Sequence, residues 1–116
     1  MQEHEELVSN LKKESTEIIF ELTSTGVDLI HMVMGVSGEA GELLDAIKKH
    51  TMYNKPLDLD NVIEELGDIE FYLEGIRQVL ILDRDDILKA NINKLSKRYS
   101  SGSFSNQQAQ NRADKK

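Results

Sequence analysis

The chain has 116 residues, a formal charge of −7 and no cysteine, so disulfides, thiolate zinc sites and cysteine nucleophiles are excluded and the length suits a single domain over 1–116. The acidic balance argues against a DNA- or RNA-binding surface, which needs clustered Lys and Arg. The opening MQEHEE lacks the basic-then-apolar pattern of a secretory signal, and no apolar run nears the ~18 residues of a membrane span, so a soluble, cytoplasmic protein is expected.

One proline and many Leu and Ile point to an all-α fold. A first helix is expected over about 3–22, with Leu7, Leu11, Ile18 and Leu22 at helical intervals. TSTG at 23–26 breaks it, with Thr25 or Asp28 as N-cap of a second helix over about 27–50. That helix carries Ile30, Val33, Leu43, Leu44 and Ile47 toward a core. TMYNKPLDLD, holding the only proline, Pro56, turns the chain. The third helix, about 60–82, is the most regular: Val62, Leu66, Ile69, Leu73, Ile76 and Leu80 alternate steps of four and three. Its other side carries Ile63, Phe71 and Ile81, a second apolar surface that fits a partner subunit. Asp83 reads as the N-cap of a fourth helix to about Arg98. The tail SSGSFSNQQAQNRADKK is too polar to pack by itself and is expected to order only on contact with ligand or partner. A four-helix bundle with a polar tail over 100–116 follows.

Four carboxylates carry the chemistry. Glu39 and Glu42, then Glu65 and Asp68, are each spaced i, i+3, which puts each pair on one side of its helix. The 22 residues between the pairs let one helix end and the next return alongside. Two facing pairs make an oxygen-rich pocket whose like charges repel unless a hard divalent cation, Mg²⁺ or Mn²⁺, is held there. A lone ExxE is usually a solvated face. Two such pairs on the most apolar helices, bordering the core without filling it, are less easily dismissed. Gly35, Gly38 and Gly41 sit beside the first pair and Gly67 beside the second. Each glycine inside a helix costs ~0.8–1 kcal/mol against alanine, so a close approach by backbone or ligand is expected there.

Asn91, Lys94, Arg98 and Tyr99 form a stripe near the end of the fourth helix. Two cations there compensate the helix dipole, or hold outer phosphates of a ligand whose inner phosphates sit on metal. Lys48 and Lys49 pose the same choice. His31, one turn before Gly35, is more often a packing residue than a catalyst, yet stays a substrate-binding candidate with Lys48. Glu64 is a candidate proton acceptor, or simply faces solvent.

Over about Leu29 to Arg112, the segments LIHMVMGVSGEAGELLDAIKKH, NVIEELGDIEFYL, NINKLSKRYSSGSFS and the closing NR resemble the MazG-like all-α nucleoside triphosphate pyrophosphohydrolases, in the short form common in phages and bacteria. The resemblance places the family's metal-binding ExxE…ExxD on Glu39, Glu42, Glu65 and Asp68, and supports Lys94 and Arg98 as phosphate contacts. Gly38 stands where many members carry a further glutamate, as the GEAGE form of the short members does. It implies metal-dependent hydrolysis of a (deoxy)nucleoside triphosphate, with dGTP or GTP the first guess, to monophosphate and pyrophosphate, by a homodimer or homotetramer. The rivals are a phosphoribosyl-ATP pyrophosphohydrolase-like enzyme and a non-catalytic helical interaction module.

Overall fold

The computed structural model, covering residues 1–116, is all-helical. Six α-helices replace the expected four: α1 (Gln2–Leu11), α2 (Ser15–Glu21), α3 (Ser24–Met52), α4 (Leu59–Leu80), α5 (Arg84–Arg98) and α6 (Asn106–Asn111), followed by a 3-10 turn at Ala113–Lys115. The expected first helix is two, because Lys12 and Glu14 are extended. Ser15 and Thr16 favour helix starts over helix interiors, and Lys13 pairs with Glu21 beyond the break.

Backbone contacts divide the chain at Leu73. In the first unit, Met1–Leu73, the N-cap of α3 is Thr23 rather than Thr25 or Asp28: its hydroxyl accepts the Gly26 N–H at 3.0 Å. α3 then runs unbroken through Gly35, Gly38 and Gly41. Asn54 in the left-handed region (φ 53°) starts the return. Two bonds pin Lys55: its N–H donates to the Lys49 carbonyl at 3.2 Å, and its carbonyl lies 2.8 Å from His50 Nδ1. The Asp58 carboxylate caps α4 by accepting the Asn61 N–H at 3.1 Å.

One glycine has its reason inside this unit. A Cβ on Gly35 would lie 2.2 Å from Cδ1 of the Tyr72 ring, so the missing side chain is what lets Tyr72 of α4 lie against α3. Four residues on from Gly35 is Glu39, and four before Tyr72 is Asp68. The contact therefore sets the register of the two acidic motifs. Gly38, Gly41 and Gly67 face open space instead.

The apolar stripes are far less covered than the sequence led one to expect. Only Ala46 (7% exposed) and Glu65 (8%) are buried. Ile30, Val33 and Leu44 of α3 are exposed, as are Leu66 and Leu80 of the α4 seam, while Val62, Ile69, Leu73 and Ile76 are half-buried. A helix pair can cover one stripe per helix, and these helices carry apolar residues around more of their circumference.

In the second unit, Glu74–Lys116, α4 closes with Ile81 in the left-handed region (φ 57°) and Leu82 N–H donating to the Arg77 carbonyl at 2.8 Å. This is the bond pattern that usually places glycine at the residue Ile81 occupies. Asp83 is the N-cap of α5, accepting Asp85 N–H at 2.7 Å, as expected. The tail is ordered by the chain's own contacts. Ser105 caps α6, Arg112 turns left-handed (φ 50°), and Asp114, its side chain 4% exposed, meets Arg98 with Nε–Oδ1 at 2.9 Å. Tyr99 and Phe104 pack with ring centroids 5.6 Å apart.

Candidate active site

α3 and α4 bring three of the four predicted carboxylates together. Glu39, Glu65 and Asp68 each offer an oxygen, and these oxygens all lie within 4.8 Å of one another. Oxygen ligands sit at about 2.0–2.6 Å from Mg²⁺ or Ca²⁺, so a single cation spans up to about 5 Å between opposed ligands, and the cluster fits one. Glu42 lies outside this triad, exposed, and acts on it through its charge.

Glu65 decides the character of the site. Far from merely bordering the core, it is one of the two buried residues, and its Oε2 is buried with no hydrogen-bond partner. A carboxylate oxygen so placed is expensive to leave unsatisfied. Its carboxyl is pushed up to about 7, first by the hydrogen bond with Glu39, then by desolvation, then by the charges of Glu39, Asp68 and Glu42. Protons held by a crowded carboxylate cluster are displaced when a cation takes their place. Glu65, with a buried, unpartnered oxygen, and the neighbouring carboxylates of Glu39 and Asp68 together form an all-oxygen cluster of the kind that could hold a hard divalent cation.

The remaining candidates are dispersed. His31 and Lys48 are exposed on α3, with Lys48 Nζ 5.7 Å from the Tyr53 ring centroid. Lys49 pairs with Asp45 at 3.1 Å, and Glu64 is exposed on α4. On α5, Asn91 and Lys94 are exposed, Tyr99 packs on Phe104, and Arg98 is committed to Asp114. That pairing raises the Arg98 pKa and holds Asp114 below the usual carboxylate range.

The model of the MazG nucleotide pyrophosphohydrolase domain matches residues 27–102. The chain belongs to the MazG family. No curated protein and no solved structure matches it. The MazG match contains all four carboxylates and runs on into α5, crossing the division at Leu73. Nucleotide pyrophosphohydrolase chemistry is therefore the activity class the family gives this chain.

Sequence reasoning missed three residues that shape this MazG chain: Tyr72, whose ring fills the notch at Gly35; His50, which pins the α3–α4 loop; and Asp114, which engages Arg98. Only Asp114 left a trace, as a lone acid after the NR of an otherwise basic tail.

Proposed function

We propose that the chain is a divalent-metal-dependent enzyme that hydrolyses a (deoxy)nucleoside triphosphate to the monophosphate and pyrophosphate, within one MazG-like domain. The observation that carries this reading is the buried, unpartnered Glu65 Oε2 set against Glu39 and Asp68. A silent interaction module has no use for such an atom.

When bound, Mg²⁺ or Mn²⁺ supplies charge neutralisation at the phosphates and a more acidic water for attack at the α-phosphorus. Glu39, Glu65 and Asp68 would hold it, and Glu42 would add a fourth negative charge from the exposed side. Together they repel any phosphate that arrives without a cation, which couples substrate entry to metal. Lys94 and Arg98 are read as contacts for the phosphates, with Arg98 exchanging its Asp114 partner for them. A guanine deoxynucleotide is the first substrate to test, on the strength of the resemblance.

The working form is read as a homodimer or homotetramer. Ile63 and Phe71, on the second apolar side of α4, are 59% and 66% exposed. A partner subunit covering about 800 Å² of each chain, the standard interface size, would remove such an apolar surface from water.

Pyrophosphate release from a nucleotide panel tests the activity. Glu39→Gln, Glu65→Gln and Asp68→Asn should each abolish most turnover while keeping the helical fold. Full activity in two of the three sinks the assignment. Light scattering at about 13 kDa for the active enzyme would refute the assembly.

A further inference from the structure

Between the last turn of α3 and the start of α4 lies a cavity of about 450 Å³, well within the size range of small-ligand sites. Its apolar surface comes from Ala46, Tyr53 and Pro56, and its polar groups include Lys55 and Asn61. Ala46 follows Glu42 by four residues on α3, and Asn61 precedes Glu65 by four on α4. Four residues advance a helix by about 6 Å, so the cavity begins one turn from Glu42 on α3 and one turn from Glu65 on α4.

We infer that this cavity is the nucleoside subsite, receiving the base and sugar of the nucleotide whose phosphates lie at the carboxylates; the inference rests on the hydrolase reading above. A phosphate chain is the poorer occupant. The C-terminal end of α3 and the N-terminal end of α4 both meet the cavity, so their dipoles offset one another, while Asp58 contributes a carboxylate to its wall. Lys49, a second cation in the wall, is already paired with Asp45. An uncharged, flat, hydrogen-bonding group suits the lining better. Tyr53 offers an aromatic face, 59% exposed, for stacking. Lys55 is a donor, Asn61 is donor and acceptor, and one Asp58 oxygen already accepts the Asn61 N–H, leaving the other as acceptor.

The wall is also preformed. Both bonds to Lys55, one from its own N–H to Lys49 and one between its carbonyl and His50, fix the loop that carries Tyr53 and Pro56. A preformed wall loses little freedom on binding, so stacking on Tyr53 is realised as affinity.

The test is saturation-transfer NMR of the four common deoxynucleosides with the full chain in EDTA, for wild type, Tyr53→Ala, Tyr53→Phe and Asn61→Leu, with KM and kcat measured in parallel. Tyr53→Ala should lose most base-proton saturation and raise KM about ten-fold, the equivalent of about 1.4 kcal/mol. Tyr53→Phe should retain both, and kcat and the Mg²⁺-induced rise in melting temperature should stay within two-fold of wild type, on the order expected for pure binding loss. Wild-type saturation and KM in both Tyr53→Ala and Asn61→Leu, or no saturation in the wild type, overturns the subsite and leaves the hydrolase reading standing. Loss of saturation in Tyr53→Ala supports the subsite even if no nucleotide yields pyrophosphate, a result that overturns the hydrolase reading alone.

Discussion

Replacing Gly35 with alanine sets two known effects against each other at one atom. Alanine at a helix-interior glycine gains ~0.8–1 kcal/mol of helix propensity. At Gly35 the added Cβ would fall 2.2–2.5 Å from three atoms of the Tyr72 ring, well inside van der Waals contact, and the half-buried ring must be displaced. Overpacking of this kind costs about 1–3 kcal/mol. The net result at Gly35 is a loss of about 1 kcal/mol. Gly38→Ala meets nothing within 4 Å and keeps the propensity gain whole. The two variants should thus differ by about 2 kcal/mol, or roughly 8 °C at ~4 °C per kcal/mol for a chain of this length. Circular-dichroism melts in EDTA at one fixed protein concentration measure this directly. Adding Tyr72→Leu to Gly35→Ala should recover much of the loss, a coupling that a propensity effect does not produce. A Gly35→Ala midpoint equal to that of Gly38→Ala refutes the notch and, with it, the stated origin of the Glu39–Asp68 register.

Raising the pH should weaken the metal-free protein. Glu65 moves from 4.5 to about 7 on folding, so between those values the folded chain holds a proton the unfolded chain has released; stability falls through that window and the deficit is complete above it. Melts from pH 4 to 8 should show this slope in wild type and not in Glu65→Gln, and a flat wild-type profile contradicts it. Asp114→Asn should loosen the tail, seen as faster amide exchange over Asn106–Asn111, with unchanged exchange denying the Arg98 contact an anchoring role. Because the folded Asp114 pKa lies below its ordinary 3.8, that anchoring is complete above 3.8 and fades as pH falls through the depressed value. Ile81→Gly should stabilise the chain by about 1 kcal/mol, since a β-branched residue is strained at φ 57° and this side chain is 92% exposed; a lower urea midpoint would count against the strain.

Helices were legible wherever apolar spacing or a cap marked them: the long α3 and α4, the Asp83 cap and the i, i+3 acids all follow from local rules. The break at Lys12–Glu14 carries no glycine or proline and left no such mark. The burial of Glu65 was illegible for a different reason. Its place relative to the seam depends on how α3 lies against α4, which the Gly35–Tyr72 contact sets and no spacing within α4 records. The glycines were half legible. Their cost signalled a close approach, and Gly35 has one, but the space beside Gly38, Gly41 and Gly67 has no occupant within the chain. The tail was misjudged because composition reports how little it can bury, not that one part-buried ion pair with Arg98 can hold it.

The orphaned oxygen of Glu65 also has a consequence on the evolutionary scale. If Glu65 holds the metal as proposed, substitutions that remove its charge relieve the fold at the same stroke that disables the site. Purifying selection on activity is then the force that keeps this glutamate in place, with no help from selection on stability. In a lineage that no longer needs the reaction, drift should erase Glu65 early, leaving a sturdier descendant that keeps the helices and the Tyr72 notch as a fossil of the enzyme.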